Sequence, residues 1–164
     1  MDVNKYYESR KDFNYYKKIL EIIQKLEFDS ILDVGASRSP VLEKLEKNVE
    51  KVLLDKNHIP QLDGIRNIQD DFYTWTPDKQ YDVVLCLQVL EHLEDPTTFA
   101  QKLFTIAKKK LIISVPYRWQ KGTCKSHIQD PVTLEKLNSW MNRKPCHAFI
   151  VKDYLNRLIC VYTI

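Results

Sequence analysis

The sequence predicts an α/β fold, with a doubly wound, mostly parallel sheet that carries helices on both faces and ends in an antiparallel hairpin. The first observation is that short runs of isoleucine, leucine and valine alternate with segments of helical periodicity. That alternation is typical of a parallel sheet buried on both faces. The second is that two β-rich runs, 147–152 and 157–164, lie close enough together to pair as a hairpin.

The length and composition fit one globular domain. The chain has 164 residues, of which 44% are hydrophobic and 29% are charged, a balance that supports a packed core rather than disorder. We predict a single domain over residues 1–164, divided into an amino-terminal helical segment, 1–27, and a sheet core, 28–164.

The predicted elements follow from periodicity and from the residues that begin and end each run. Residues 4–26 have a broad apolar face and predict one helix, which either folds over a ligand cleft as a lid or covers a flank of the sheet. Ser39 and Pro40 suit the cap and first turn of a second helix. The predicted strands are 30–34, 51–55, 64–69, 81–87 and 111–115, and the remaining predicted helices are 89–107 and 134–141.

Acidic residues follow successive predicted strands. The first strand runs into Gly35, which predicts a tight turn with free backbone N–H groups facing a ligand. Asp55 ends the second strand, where a carboxylate can accept both ribose hydroxyls, and Asp70 and Asp71 end the third, where one can accept an adenine amino group. Phe72 can then stack on the purine. Any one of these acids is equally well explained as a turn cap, but all of them in this order indicate a nucleoside site.

The glycine content bears on which nucleoside is bound. A dinucleotide site needs several glycines for close approach to a pyrophosphate, yet only Gly35 is glycine here, with Ser37 and Ser39 at the later small positions. S-adenosylmethionine carries an amino acid tail instead of phosphates. Asp33 or a backbone carbonyl can bind its ammonium group, and Arg38 or the helix N-terminus can hold its carboxylate.

Four segments form a recognisable series: residues 31–40, 53–55, 70–73 and 81–96. In this order they resemble the class I S-adenosylmethionine-dependent methyltransferases, in the branch that acts on small molecules, lipids and glycans. The resemblance extends over nearly the whole chain and is most specific at Leu90-Glu91-His92 followed by Asp95-Pro96. It departs from the family at 36–39, where glycines are usual.

The resemblance implies a Rossmann-like fold, S-adenosylmethionine as cofactor and S-adenosylhomocysteine as product. It places Asp55 on the ribose and Asp71 on the adenine amino group. His92 matches a recurring family position, although a structural hydrogen bond explains it equally well. The other residues that it places along the cofactor are Asp33, Gly35, Ala36 and Ser37 at the methionine end, and Leu87 and Gln88 at the fourth strand end.

The loop after the fifth strand, residues 114–127, is expected to cover the reacting methyl group. His127 is the candidate base for an oxygen or nitrogen acceptor, because a histidine pKa suits physiological pH; its alternative role is to orient the loop or cap the next helix. Tyr117 and Trp119 form either an acceptor wall or loop anchors, and Arg118 and Lys121 suit an anionic small-molecule acceptor.

Two other functions stay open. Between Asp95 and Asp130 the chain is basic, which favours nucleic-acid methylation, but it lacks an Asn-Pro-Pro-Tyr-type base-flipping motif. The sparse glycine motif instead favours a catalytically silent subunit that binds a partner. Salt-dependent RNA binding would support the first, and absent cofactor binding the second.

The cysteines and histidines predict no metal site, because the spacing of Cys124, His127, Cys146 and His147 matches no common zinc pattern. Residues 1–9 do not resemble a signal peptide, and the apolar stretches are too short to span a bilayer. We therefore expect reduced thiols and a cytoplasmic location.

Overall fold

The computed structural model describes residues 2–164, which form a single sheet with helices on both faces. The strand order in this described chain is β3-β2-β1-β4-β5-β7-β6. The strands are β1 Ser30–Val34, β2 Glu50–Asp55, β3 Arg66–Gln69, β4 Tyr81–Leu87, β5 Ala107–Pro116, β6 His147–Lys152 and β7 Asn156–Thr163. The helices are α1 Val3–Arg10, α2 Asn14–Gln24, α3 Pro40–Lys44, α4 Pro96–Ile106 and α5 Leu134–Met141, with a 3₁₀ turn at Leu90–His92.

Strand order reverses at β1, which pairs in parallel with β2 on one side and with β4 on the other. Every residue of β1 and of β4 is buried, which is why both read as nearly continuous apolar runs. In sheets of this kind, ligands bind beyond the carboxyl ends of the strands at such a reversal. The predicted α/β fold is confirmed.

The antiparallel end of the sheet is also confirmed. β7 pairs with β5 and with β6 in antiparallel fashion, so that Cys160 lies opposite Ile113 on one side and Ala148 on the other. The free thiols of Cys86 and Cys160 are buried among apolar side chains.

The core has two layers, one on each face of the sheet. Ile19 and Ile23 of α2 and Leu42 of α3 pack on one face, while Leu103 of α4 and Leu137 of α5 pack on the other. None of the helices in residues 2–164 has the length and apolarity that crossing a bilayer requires.

The predicted single helix over 4–26 is wrong, because α1 and α2 are separate. Phe13 between them has an extended backbone and provides no side-chain cap. Asp153 caps α2 instead: its carboxylate accepts the N–H groups of Asn14 at 2.6 Å and Tyr15 at 3.4 Å. The start of α2 is therefore capped by a residue far away in the sequence.

The predicted helix over 89–107 also starts too early. Residues 90–92 form only a 3₁₀ turn, and α4 begins at Pro96, with the Asp95 carboxylate accepting the Thr98 N–H at 3.0 Å. Proline fits the first helical position and disfavours helix in the residue before it, so the start is fixed there. Because α4 ends at Ile106, β5 begins at Ala107 rather than at the predicted Leu111.

Candidate functional site

A cleft of about 640 Å³ opens beyond the carboxyl ends of the central strands. Its size is typical of a small-molecule site. Residues at the carboxyl ends of β1, β2, β3 and β4 all line it, as the nucleoside hypothesis requires. The predicted cofactor residues that line it are Gly35, Ser37, Asp55, Asp70, Asp71, Phe72, Gln88 and His92.

The turn after β1 contributes Gly35 and Ser37, both with positive φ, of 69° and 50°. Their backbone N–H groups are engaged by β2: Gly35 donates to the Leu54 carbonyl at 2.7 Å and Ser37 to Asp55 Oδ2 at 2.8 Å. The prediction of free N–H groups is wrong for these two residues, because the turn folds back onto the neighbouring strand.

Asp55 lies at the end of β2 with only 7% of its surface exposed. Its carboxylate accepts the Ser37 N–H, the Asn57 N–H at 2.8 Å and the Asn57 side-chain amide at 3.1 Å. A carboxylate has about four acceptor positions, so one remains for a ribose hydroxyl. The three protein donors fix the orientation of the group.

Asp71 begins a turn after β3 and is exposed to the cleft. Its Oδ1 accepts the Tyr73 N–H at 2.9 Å, and its own N–H donates to Asp70 Oδ1 at 2.7 Å. Of the two carboxylate oxygens of Asp71, Oδ2 is therefore the one with fewer hydrogen-bond donors from the protein.

Phe72 forms an apolar wall beside these acids. It packs on Phe99 with a ring-centroid distance of 4.4 Å. The Lys102 ammonium group donates to the carbonyls of Phe72 and Trp75, both at 2.5 Å, and to that of Tyr73 at 3.2 Å. Lys102 thereby ties the 72–75 segment to α4.

Asp33 does not line the cleft. It is fully buried in β1, next to Leu53 and Leu85 of the flanking strands, and neither carboxyl oxygen has a hydrogen-bond partner among the described residues. Burial raises its pKa to about 7, and the negative charge of Asp55 acts in the same direction. Asp33, which the sequence analysis placed at the ammonium group of the cofactor, thus lies beneath the floor of the cleft.

Arg38 also points elsewhere. Its guanidinium lies 4.0 Å from the Tyr7 ring centroid and donates to Asn4 Oδ1 at 2.7 Å and to Glu43 at 3.0 Å. The expectation that it faces the cleft is wrong, because it holds α1 against α3. Tyr6 of α1 lines the cleft, so α1 matches the lid hypothesis and α2 the flank hypothesis.

Ala36 and Leu87 likewise do not line the cleft, because both pack into the apolar layer formed with α2 and α3. The cleft gains three polar residues that the sequence analysis missed, Lys56, Asn57 and His58. They directly follow Asp55, so the rule that ligands bind beyond strand ends would have included them.

A second cavity of about 460 Å³ lies between the loop after β5 and the β6–β7 turn. Tyr117, Arg118 and Trp119 line it, with Leu155 and Asn156 on the other side. The Trp119 indole donates to the Asn156 carbonyl at 2.7 Å, so this tryptophan is both a cavity wall and a loop anchor. Exposed Lys121 is not part of the lining.

His127 lies between the two cavities. Its Nδ1 is 2.8 Å from Asp130 Oδ2, and its ring stacks on Trp119 with centroids 5.4 Å apart. On the other side, its ring centroid is 4.7 Å from that of His92, which lines the cleft. His127 does not cap α5, since the Thr133 hydroxyl accepts the Lys136 N–H there.

Known proteins resemble this chain both in sequence pattern and in fold. A family model described as a methyltransferase domain matches residues 7–159. No curated protein sequence matches the chain.

Solved structures share the fold over almost its whole length. The magnesium protoporphyrin IX methyltransferase of Synechocystis PCC 6803, with bound S-adenosylhomocysteine, has a TM-score of 0.71 at 12% identity, with 91% of this chain and 81% of that chain covered. The 1,6-didemethyltoxoflavin-N1-methyltransferase of Burkholderia thailandensis has a TM-score of 0.73 at 17% identity, with 98% and 84% covered. The N-methyltransferase NodS of Bradyrhizobium japonicum WM9 has a TM-score of 0.70 at 13% identity, with 93% and 88% covered.

Proposed function

Because this chain belongs to the methyltransferase domain family, we propose that it transfers a methyl group from S-adenosylmethionine to an oxygen or nitrogen atom of a small-molecule acceptor. One observation carries this proposal. The glycine turn after β1 and the acids after β2 and β3 open onto a single cleft, in the order that a nucleoside with an amino acid tail requires.

The residues present fit that cofactor better than a dinucleotide. The N–H groups of Gly35 and Ser37 are already engaged, so the turn has little capacity for a pyrophosphate. Asp55 retains an acceptor position for the ribose, and Asp71 retains an oxygen for the adenine amino group. S-adenosylmethionine supplies an activated methyl group, so the protein has mainly to align the acceptor.

His127 is proposed as the base that removes a proton from the acceptor. The Asp130 carboxylate accepts from Nδ1, which keeps the hydrogen on that atom and leaves Nε2 as the acceptor. The second cavity is proposed to hold the acceptor, because Trp119, which lines this cavity, also stacks on the His127 ring. Arg118 lies in the same wall and favours an anionic acceptor.

Calorimetric titration with S-adenosylhomocysteine tests the cofactor assignment. We expect saturable binding by the wild type and a loss of about 5- to 150-fold in affinity for Asp55→Asn, equivalent to about 1 to 3 kcal/mol. Asp63→Asn, an exposed acid outside the cleft, is the matched control. If the wild type does not bind, the chain is a silent methyltransferase-like subunit; equal binding by all three proteins would sink the ribose assignment.

Nucleic-acid methylation is the less favoured function, because several cations of the basic stretch have partners in the structure. Lys109 lies 3.1 Å from Asp82, Lys110 donates to Thr163 and Lys102 donates to backbone carbonyls. We also propose a cytoplasmic location, which the buried free thiols of Cys86 and Cys160 support.

A further inference from the structure

Three potential metal ligands meet between the cleft and the second cavity. Glu91 Oε1 lies 3.8 Å from His92 Nε2 and 4.0 Å from His127 Nε2, and one ligand atom from each residue lies within 4.8 Å of the other two. Glu91 is completely buried, and within residues 2–164 neither of its carboxyl oxygens has a hydrogen-bond partner. Distances near 4 Å are too long for hydrogen bonds. The three side chains therefore surround a gap instead of bonding to one another.

Both imidazoles present the same nitrogen to this gap. His92 Nδ1 is 2.9 Å from the Ser126 carbonyl, and His127 Nδ1 is 2.8 Å from the Asp130 carboxylate. Because both partners are acceptors, each Nδ1 of a neutral ring carries the hydrogen. The lone pair is then on each Nε2, the atom that lies 3.8 or 4.0 Å from Glu91 Oε1. Histidines that bind metals in proteins are usually held in this way, with the second ring nitrogen donating to a carbonyl or carboxylate.

Hydrogen bonds connect the two segments that carry these three side chains. The N–H groups of Ile128 and Gln129 donate to the Glu91 carbonyl at 3.0 and 3.2 Å, and the Gln129 amide donates to the Leu93 carbonyl at 2.8 Å. The loop that carries His127 is thus fixed to the 3₁₀ turn that carries Glu91 and His92. Little of the backbone has to rearrange for the three groups to act together.

We propose that Glu91, His92 and His127 bind a divalent transition-metal ion such as zinc, manganese or cobalt. One carboxylate and two imidazoles suit these ions, whose bonds of about 2.0 to 2.2 Å place neighbouring ligand atoms roughly 3 Å apart. The ligand atoms, now 3.8 to 4.8 Å apart, would have to move closer together to bind one ion. This site replaces the expectation of no metal, and His127 joins it without Cys124, Cys146 or His147.

The position of the ion indicates its role, and this part rests on the proposed function. His92 lines the cofactor cleft, and His127 stacks on Trp119 in the wall of the second cavity. An acceptor oxygen that takes an open coordination position would be held beside the methyl donor, and its hydroxyl pKa would fall. When the ion occupies Nε2, His127 is a ligand and no longer the base.

Titration of the chelator-treated, full-length chain with Co²⁺ tests the site by calorimetry and visible absorption. We expect one ion per chain, with ligand-field bands of a nitrogen and oxygen site and without the near-ultraviolet charge-transfer band of a thiolate. Absence of binding, or a thiolate band, would overturn the proposal.

The ligand assignment is tested with three variants and one control. Glu91→Gln and His127→Gln are expected to lower Co²⁺ affinity at least 100-fold, and Asp130→Asn, which disturbs only the support of His127, about 10- to 100-fold. His147→Gln removes an exposed histidine on β6 and is expected to bind Co²⁺ as the wild type does. Equal affinity across all five proteins would exclude the site.

The same variants separate this inference from the proposed function. Circular dichroism and the thermal midpoint establish that each variant is folded, and His127→Gln provides a loop variant should Glu91→Gln not fold. S-adenosylhomocysteine is then titrated without metal. Retained cofactor binding with no Co²⁺ binding refutes the metal site alone, whereas Co²⁺ binding without cofactor binding refutes the proposed function alone.

Discussion

Val89 occupies the space that a side chain at Gly35 would need. A Cβ atom built on Gly35 would lie 2.7 Å from Val89 Cγ2, well inside van der Waals contact. The turn after β1 and the residues after β4 thus pack against each other beside the cleft. Position 35 requires glycine because there is no space for a side chain and because the backbone φ is +69°.

Gly35→Ala is therefore expected to be more destabilising than Gly64→Ala. Gly64 has nearly the same φ, +70°, but an added Cβ there meets nothing within 4 Å, so it isolates the backbone cost of about 1 kcal/mol. The clash at Gly35 should add about 1 to 3 kcal/mol. Urea unfolding measures both losses, and Val89→Ala should restore part of the Gly35→Ala loss. Equal losses at the two glycines would show that the contact with Val89 is unimportant.

Lys102 is expected to support the adenine end of the cleft without touching a ligand. Replacing it by methionine keeps the apolar stem but leaves the carbonyls of Phe72 and Trp75 without their donor. We expect a loss of about 1 to 3 kcal/mol in unfolding free energy and weaker S-adenosylhomocysteine binding. Lys108→Met is the control, since that exposed lysine lies 4.0 Å from Asp82 and such pairs contribute about 0 to 1 kcal/mol. Similar effects of the two substitutions would contradict this role.

Asp33 should make the stability of the chain depend on pH. Its pKa is about 7 in the folded chain against an ordinary value of 3.8, so the folded chain keeps a proton that the unfolded chain releases. The unfolding free energy should therefore fall as pH rises from about 4 to about 7. The side chain of Asp33→Asn does not titrate, so its stability lacks this pH dependence. As pH rises from about 4 to about 7, the unfolding free energy of the variant should therefore increase relative to that of the wild type, by up to about 4 kcal/mol.

Urea unfolding at several pH values between 4 and 8 measures that difference. Other groups that titrate in this range are common to both proteins and cancel in the subtraction. A flat difference for Asp33→Asn would mean that the buried carboxyl is already ionised at low pH.

Arg38 is expected to determine whether α1 stays on the cleft. Arg38→Gln loses the stacking on Tyr7 and the ion pair with Glu43, so Tyr6 should leave the cleft more often. Limited trypsin digestion should cut α1 faster at Lys5 or Arg10, with little change in the thermal midpoint, because α1 places few side chains in the core. Lys17→Gln, on the exposed side of α2, is the control. Unchanged digestion would show that α1 is held by other contacts.

Most of the sheet was predictable because its strands are buried on both faces. β1 and β4 have the bounds that their apolar runs predicted, Ser30–Val34 and Tyr81–Leu87. The acids at the ends of β2 and β3 reach the cleft because parallel strands end at the same edge of a sheet.

Two of the features that sequence reasoning missed depend on distant partners. The guanidinium of Arg38 stacks on Tyr7 and donates to Asn4 of α1, more than thirty positions earlier. The Glu91 cluster needs a histidine from a loop beyond β5, and its spacing follows no local motif. Local periodicity and residue spacing contain no record of such pairings.

Asp153 caps α2 across 139 positions of the chain. During synthesis, α2 therefore leaves the ribosome well before the residue that stabilises its first turn. Until the β6–β7 hairpin has been made and has joined the sheet, the start of this helix lacks its carboxylate and is free to fray. Formation of this cap is thus a late event, because it is one of the most non-local contacts in the fold.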